Sequence, residues 1–521
     1  MFIFSAAAEL ALWHIVPMPG GDPRHSESVA EAINADTIDG TVFSNLPVLL
    51  SGKDRGLYKE IFSAQKRQDW IKADILAAKL SNQELLGHVL AYRYLHKSYT
   101  ASPAELSTWL SKYSDHPQTA DITSLARSKN ASIPVTSEFR KHRQPLQGYG
   151  DDNGLASWNG NSVVTWHQAM QSWKSSDKIN AARLFSSIAN QDGMHRWKKA
   201  GAAFWAWRSY KAIGDQKSAY HYLRIAASEP RSFYGILARR ELKQSLGLDK
   251  TPVTLSDSDV LEIIGEPVIR RVIALSEAGA SEFAEKELRT YFPTVDKNEQ
   301  MRLLALAHDL NLASVQIAMA RHLRNETRAL DFARYPVPHW QPQEGFRVEP
   351  ALIYALARQE SGFHAMAKSP AGALGVMQLM PETASLMKKQ MQKNTGLSAS
   401  TYHASDAVSN VTLGQGYVEH LLGNALVENN LLFMLTAYNA GPGRLMEWKK
   451  SIDYKNDPLL FLESIPFPET RNYVMQVMTN YWIYSELAGK SNSSIYALLS
   501  GKWPSYQPIV PLAARNLQTA S

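Results

Sequence analysis

From about Leu46 to Arg334 the sequence reads as one helix after another. Apolar runs of helix length, rich in Ala, Leu, Trp and Tyr, end at short breaks that contain Gly, Asn, Asp or Pro. A chain of this kind buries its apolar surface by packing helix against helix. The pattern therefore predicts a mainly all-α protein.

One unit of this region predicts a helical hairpin. Its first helix carries apolar residues at i, i+3, i+4 and i+7, namely Ala203, Ala206, Trp207 and Tyr210. Gly214 should stop that helix and Asp215 should cap the next one, in which the same spacing runs from Ala219 to Ala226. Similar breaks recur along the region, which predicts a stack of helix pairs, an α-superhelix. The sequence leaves open whether the superhelix closes into a ring.

Two breaks divide the chain. The glycine-rich segment 144–161 predicts a joint within the superhelix, and the proline-rich segment 335–346 predicts a linker. The helical pattern then resumes. The predicted organisation is an N-terminal segment at 1–45, a superhelical domain at 46–334, a linker at 335–346, a second helical domain at 347–490 and a C-terminal segment at 491–521.

The residue types that are absent exclude several chemistries. The chain has no cysteine, which rules out disulfides, thiolate metal ligands and cysteine nucleophiles. Its histidines form no His-Glu-x-x-His or similar set, and there is no phosphate-binding glycine loop or Gly-x-Ser-x-Gly motif. His364 and His403 are expected at the surface or in structural hydrogen bonds. We predict no metal and no cofactor.

Charge and hydropathy bound the partners. A formal net charge of +6 favours an anionic partner, such as nucleic acid, anionic lipid or an acidic wall polymer. The basic residues are scattered, so an ordinary solvated surface explains them equally well. No run reaches the roughly 18 apolar residues of a membrane span. The apolar start, Met1–Ala8, lacks basic residues and is followed by Glu9, which makes it a poor signal peptide.

Glu360 is the first candidate for catalysis. A helix should begin at Pro350 and end near Ser361 and Gly362. Its apolar stripe, Ile353, Leu356 and Ala357, continues at i+7 with the Glu360 carboxyl group. Desolvation and the negative end of a helix both raise a carboxyl pKa, as a general acid requires. The alternative is a glutamate that ends a helix and turns to solvent.

Three later segments favour a catalytic role for Glu360 over this alternative. They read Ser-Pro-Ala-Gly-Ala-Leu-Gly-Val-Met-Gln-Leu-Met-Pro at 369–381, Thr-Ala-Tyr-Asn-Ala-Gly-Pro-Gly-Arg at 436–444 and Ile-Pro-Phe-Pro-Glu-Thr-Arg-Asn-Tyr-Val at 465–474. With Glu360-Ser361 they resemble, in order, the four motifs of the soluble (Slt-type) lytic transglycosylase family. A weaker resemblance extends into the helical region at 87–92 and 231–235.

The resemblance implies a lysozyme-like α domain after the superhelix and assigns its site residues. Glu360 would be the catalytic acid/base. The resemblance places Ser369, Gln378 and Tyr438 around it, Met380 and Glu469 on substrate sugar or stem peptide, and Asn439, with Ala437, in a loop whose backbone positions Glu360. Met377 and Met380 could equally be core residues, and Arg471 could simply pair with Glu469.

The resemblance also implies an activity. The protein would cleave the β-1,4 bond between N-acetylmuramic acid and N-acetylglucosamine in peptidoglycan and leave 1,6-anhydromuramyl ends, in the periplasm. Its partners would be glycan strands and stem peptides, with no nucleic acid; other cell-wall proteins are left open. Most glycosidases need two carboxylates, and the further candidates, Asp406, Glu419 and Glu469, lie outside the segments around Glu360. The alternatives are a lysozyme-type hydrolase and a non-catalytic, glycan-binding helical scaffold.

Overall fold

The protein is described from a computed structural model, which covers residues 46–133, 144–148, 160–323, 329–395, 402 and 406–508. The predicted N-terminal segment 1–45, His403, residues 149–159 of the glycine-rich break and the last part of the C-terminal segment lie outside the described residues. Within them the secondary structure is helical, with three isolated β-bridges, which confirms the all-α prediction.

The superhelical region contains sixteen of the described α-helices and one 3₁₀ turn, Phe292–Thr294. The helices are α1 Gly52–Lys66, α2 Trp70–Ala77, α3 Leu86–Tyr94, α4 Pro103–Lys112, α5 Thr119–Ser128, α6 Gly160–Lys174, α7 Lys178–Ala189, α8 Arg196–Ala212, α9 Gln216–Ala227, α10 Phe233–Glu241, α11 Asp257–Ile263, α12 Pro267–Glu277, α13 Ser281–Tyr291, α14 Lys297–Asp309, α15 Ala313–His322 and α16 Asp331–Arg334.

The second region contains eight described helices: α17 Pro350–Ser361, α18 Pro381–Thr395, α19 Ala407–Leu422, α20 Leu431–Ala440, α21 Pro442–Ser451, α22 Pro458–Ser464, α23 Pro468–Leu487 and α24 Ser493–Leu499. Residues 335–349, between α16 and α17, form no helix. No helix among the residues described here is both long and apolar enough to cross a bilayer.

The hairpin expected near residue 214 is present. Helix α8 ends before Gly214, whose φ of +85° is a left-handed conformation that glycine adopts without a Cβ penalty. Asp215 caps α9, since its side chain accepts a hydrogen bond from the Ser218 N–H. Sequence periodicity therefore located both helices and the turn between them.

The first helices of the superhelix pack against later ones across nearly the whole region. Glu277 of α12 accepts hydrogen bonds from the backbone N–H groups of Leu49 and Leu50, at 2.7 and 2.8 Å. Lys66 of α1 forms an ion pair with Glu282 of α13 at 2.8 Å. One apolar core joins residues 46–89 to residues 255–333. This contact brings distant parts of the described superhelix together.

A second apolar core unites helices α6–α10 with the region that follows the linker. Helix α17 lies against the long helix α23, and α10 contacts both α23 and α24. Near the end of the described chain, Tyr506 and Asn429 exchange two backbone-directed hydrogen bonds, and the Trp503 ring packs on Phe433. The second region therefore packs against the superhelix on one side and against its own residues 503–506 on another.

Helix α19 passes very close to the segment around Met377. A Cβ added at Gly414 would lie 2.2 Å from Met377 Sδ and 3.2 Å from its Cβ, whereas one added at Gly416 would meet Met387 Sδ at 3.7 Å, an ordinary contact. Gly414→Ala should therefore lower the free energy of unfolding by about 1–3 kcal/mol through overpacking.

The matched variant is Gly416→Ala on the same helix, which should be neutral or stabilising by about 0.4–1 kcal/mol because alanine restricts the unfolded chain. Chemical denaturation of both variants checks this. Equal effects of the two substitutions would contradict the close approach at Gly414.

Candidate active site

Helix α17 ends where the sequence predicts. Gly362 follows it with φ +56°, a left-handed cap, and its N–H bonds back to the Arg358 carbonyl. Arg358 is almost fully buried; its Nε donates to the Arg334 carbonyl at 2.8 Å and its Nη1 to Asn480 Oδ1 at 3.1 Å. These bonds fix the last turn of α17, which carries Glu360, against the end of α16 and against α23.

Glu360 is partly exposed at this helix end, and it has one defined hydrogen-bond donor. The Tyr473 hydroxyl of α23 donates to Glu360 Oε1 at 2.6 Å. Burial raises the pKa of Glu360 to about 7, while the Tyr473 hydrogen bond, which stabilises the carboxylate, lowers it. A carboxyl group with this pKa can give and take a proton near neutral pH.

Two more tyrosines stand beside this pair. The Tyr438 ring of α20 lies nearly parallel to the Tyr473 ring, with centroids 6.5 Å apart, and the Tyr417 ring of α19 lies 5.3 Å from Tyr438. Burial first, and then the negative charge of Glu360, holds the pKa values of Tyr438 and Tyr473 well above the usual range. Both hydroxyls therefore remain protonated donors at neutral pH.

The segment around Gln378 is a tight turn. Leu374 and Leu379 exchange two backbone hydrogen bonds of 3.0 Å, and Gln378 has a φ of +45°, which is rare for a residue with a side chain. The Gln378 amide donates to the carbonyls of Gly375 and Ala367 at 2.8 and 3.2 Å. The side chain thus holds its own loop together.

Polar contacts tie this turn to the helices around it. The Ser361 hydroxyl donates to the Val376 carbonyl at 2.7 Å, and the Tyr438 hydroxyl donates to the Met377 carbonyl at 3.0 Å. Buried Asn410 of α19 accepts from the Met377 N–H and donates to the Leu374 carbonyl. The turn is therefore fixed next to the residue that follows Glu360.

The remaining predicted residues occupy distinct places. Ser369 Oγ accepts a hydrogen bond from the Ala373 N–H at 3.0 Å, which shapes the approach to the turn. Met380, Asn439 and Glu469 are exposed, and Glu469 lies one helical turn before Tyr473 on α23. Met377, by contrast, is fully buried.

The other carboxylates considered from the sequence have structural contacts. Asp406 caps α19 by accepting from the Ser409 N–H, and Glu419 pairs with Arg347 at 2.9 Å. The sequence also allowed an ion pair between Arg471 and Glu469. In the structure, Arg471 Nη1 instead donates hydrogen bonds to the carbonyls of Glu463 and Ile465. The hydrogen-bond partner that the structure shows for Glu360 is the Tyr473 hydroxyl.

Sequence reasoning missed Tyr473, Tyr417 and Asn410. Tyr473 belongs to the fourth motif, but 113 residues separate it from Glu360, and only the packing of α17 on α23 brings the two together. One signal was available, because Tyr473 stands one turn after Glu469 in the same motif. Tyr417 and Asn410 lie in an amphipathic helix whose pattern resembles that of any core helix.

A cavity of about 670 Å³ opens between the superhelix and a different face of α23. Its lining joins α6, α8 and α10 to residues 463–479. The charged side chains in the lining are Lys174, Lys198, Arg231, Arg471 and Glu463, of which Arg231 already pairs with buried Asp331. Burial lowers the pKa of Lys198 to about 8. Such a lining suits a partly apolar ligand that carries a carboxylate.

One group of side chains in the described part of the chain has the composition of a metal site. His88, His116 and Glu287 are buried together in the superhelix. The Arg271 guanidinium, however, donates to Glu287 Oε1 at 2.6 Å, and His88 Nε2 lies 2.8 Å from the same oxygen. The carboxylate is already neutralised by Arg271, which makes this a structural polar cluster.

Two family models match the second region of the chain. Residues 340–460 match the model of the Transglycosylase SLT domain, and residues 464–493 match that of the Soluble lytic transglycosylase helical domain. The soluble lytic murein transglycosylase of Escherichia coli K12 is 31% identical over 375 residues, which cover 68% of this chain and 55% of that protein. The chain thus carries an SLT domain of the soluble lytic transglycosylase family.

Other members are similar in sequence. The Salmonella typhimurium soluble lytic murein transglycosylase is 26% identical over 369 residues, covering 67% of this chain and 54% of its own length. A putative soluble lytic murein transglycosylase of Haemophilus influenzae is 29% identical over 297 residues, covering 56% and 48%. The chain spans about half the length of the curated relatives it matches.

Solved structures of the family share the fold. The 70-kDa soluble lytic transglycosylase of E. coli superposes with a TM-score of 0.52 at 19% identity, covering 92% of this chain and 77% of that one. An inactive Glu-to-Gln variant of the lytic transglycosylase Slt of Pseudomonas aeruginosa gives a TM-score of 0.50 at 20% identity, covering 91% and 77%. The predicted combination of an α-superhelix with a lysozyme-like α domain is confirmed.

Glu360→Gln should change stability in a pH-dependent way. Because the folded-state pKa of Glu360 is raised to about 7 from 4.5, wild-type stability falls as pH rises through that window. Glutamine does not titrate and can still accept from the Tyr473 hydroxyl. The variant should therefore gain about 3 kcal/mol relative to wild type between pH 4.5 and pH 8.

Denaturant unfolding of both proteins at the two pH values measures this difference. A Glu360→Gln effect that is the same at pH 4.5 and pH 8 would show that the carboxyl group is not perturbed.

Proposed function

We propose that this chain is a peptidoglycan lytic transglycosylase that uses Glu360 as its single acid/base. One observation carries the proposal: a partly exposed carboxyl group with its pKa raised to about 7, which receives a hydrogen bond from Tyr473 and stands among tyrosines. Protonated Glu360 is the acid that a glycosidic oxygen needs as its leaving group departs.

The reaction needs no second carboxylate if the nucleophile belongs to the substrate. Glu360 gives its proton to the glycosidic oxygen, and the bond from that oxygen to C1 of N-acetylmuramic acid breaks. The C6 hydroxyl of the same sugar then attacks C1 and returns its proton to Glu360, which forms the 1,6-anhydro ring without consuming water. Proximity favours this attack over attack by free water.

The tyrosines and the Gln378 turn support both halves of the reaction. Tyr473 stabilises the carboxylate that exists between the two proton transfers, because its hydroxyl already points at Oε1. Tyr438 and Gln378 hold the loop beside Glu360 through hydrogen bonds to main-chain carbonyls. Exposed Met380, Asn439 and Glu469 are available to contact sugar or peptide.

The interdomain cavity is the proposed receptor for stem peptides. Stem peptides carry carboxylates, and Lys174, Lys198 and Arg471 bring positive charge to the cavity lining. The net charge of +6 also favours an anionic polymer as substrate. We further propose the periplasm as the compartment, since the substrate lies there, and residues 46–334 and 347–490 as the superhelical and catalytic domains.

The product of digestion tests the activity. Wild type should release muropeptides that are lighter by one water than those of a hydrolase, as measured by mass spectrometry. Glu360→Gln should lose activity by at least about 10³-fold while keeping its helical circular dichroism, because the acid is gone. Products with the added water would indicate a lysozyme-type hydrolase, and wild-type binding without cleavage would indicate a glycan-binding scaffold.

Lys198 tests the role of the cavity. Lys198→Ala should raise KM for strands that carry stem peptides by about three- to tenfold and leave cleavage of peptide-free strands unchanged, because one half-buried cation of the cavity lining is lost. The matched control is Lys199→Ala, which removes the neighbouring exposed lysine. Equal effects of the two variants, or equal effects on both substrates, would contradict a peptide site.

A further inference from the structure

A buried hydrogen bond joins the superhelix to the catalytic domain. The Tyr234 hydroxyl of α10 donates to Glu463 Oε1 of α22 at 2.5 Å, and it accepts from Trp205 Nε1 of α8 at 3.0 Å. Tyr234 is 5% exposed and Glu463 is 9% exposed. A short bond to a carboxylate that is largely shielded from water fixes the relative position of both groups more firmly than a surface contact would.

Glu463 lies at the point where the chain turns into α23. The turn 465–467 connects α22 to α23, and Arg471, in the first turn of α23, donates back to the carbonyls of Glu463 and Ile465 at 3.0 and 3.4 Å. The turn is therefore held from one side by the superhelix and from the other by α23 itself. Its position sets where α23 starts.

Tyr473 stands within the first two turns of α23, immediately beyond Arg471. Its hydroxyl must reach Glu360 Oε1 at 2.6 Å, and a hydrogen bond weakens steeply when its geometry is lost. A small shift or rotation at the start of α23 is enough to lengthen this bond. The chain of contacts thus runs from α8 through Tyr234, Glu463 and the turn to Tyr473.

The charged groups around Glu463 make it dependent on Tyr234. Burial raises the pKa of the Glu463 carboxyl, while the positive charge of Arg471 and the hydrogen bonds of Tyr234 and Trp205 lower it. Arg208 of α8 adds a second positive charge nearby, which acts on Tyr234. Without the Tyr234 hydroxyl, the carboxylate loses a partner in a site where an unmatched charge is costly, so it must rearrange.

We infer that Tyr234 is a positioning residue for catalysis: through Glu463 it places the start of α23 so that Tyr473 meets Glu360. The inference rests on the proposed function, because it concerns the same acid/base. It gives the superhelix a direct effect on proton transfer, separate from any contact with the glycan strand.

Tyr234→Phe tests this in the 521-residue chain on soluble, peptide-free glycan strands, because Tyr234 and Glu463 also line the cavity proposed for stem peptides. We expect kcat to fall about tenfold with KM changed less than about twofold, because the acid is mispositioned while the groove is kept. The basic limb of the kcat–pH profile should move to higher pH, since the Tyr473 hydrogen bond normally lowers the pKa of Glu360. Tyr473→Phe should move this limb in the same direction.

A double-mutant cycle separates positioning from general destabilisation. If Tyr234 acts through Tyr473, the kcat of the Tyr234→Phe/Tyr473→Phe double variant should lie less than about twofold below the kcat of Tyr473→Phe alone. Glu463→Gln retains an acceptor for the Tyr234 hydroxyl and should keep most of kcat, whereas Glu463→Ala should resemble Tyr234→Phe.

The matched control is Tyr222→Phe. Tyr222 is a buried superhelix tyrosine whose hydroxyl accepts from Asn190 Nδ2 at 3.0 Å, within the superhelix, and its removal should leave kcat and the pH limb unchanged. A Tyr234→Phe variant with the wild-type pH limb, or with an effect that adds fully to that of Tyr473→Phe, overturns the inference. Wild type that makes no anhydro product overturns the proposed function instead.

Discussion

The hydrogen bond between Tyr473 and Glu360 is the contact on which the site depends. It spans two helices that are far apart in sequence, α17 and α23, and it forms only because their apolar faces pack in one core. Burial pushes the carboxyl pKa up and the bond pulls it back toward the ionised form. A group balanced in this way can release a proton and recover it, which is the requirement for one carboxylate to perform both steps.

The superhelix has a structural part in this balance. Its helices α8 and α10 pack against the catalytic domain, and Arg208 forms an ion pair with Asp457 at 2.8 Å beside the Tyr234–Glu463 contact. The same interface encloses the cationic cavity. One surface therefore supports α23, carries the positive charge that the proposed stem-peptide site would use and links the two regions of the chain. A catalytic module cut free of the superhelix would lose all three.

The sequence predicted what depends on local pattern. The hairpin at Gly214, the end of α17 at Gly362 and the order of the four motifs all follow from periodicity, capping residues and short segments. It did not reveal three sets of hydrogen bonds. The Tyr438 hydroxyl donates to the Met377 carbonyl, and Arg471 donates to the Glu463 carbonyl. The Glu277 carboxylate accepts from the backbone N–H groups of Leu49 and Leu50. These contacts join residues through tertiary packing, for which a single sequence carries no periodic signal.

The protonation state of Glu360 in the folded protein is the property that decides the account. A ¹³C NMR titration of glutamate carboxyl groups, with the Glu360 signal assigned by its absence in Glu360→Gln, measures it directly. We predict a midpoint near pH 7, set by burial, for this one carboxyl group. A midpoint near the 4.5 of an ordinary glutamate would mean that Glu360 is ionised at neutral pH and cannot serve as the acid.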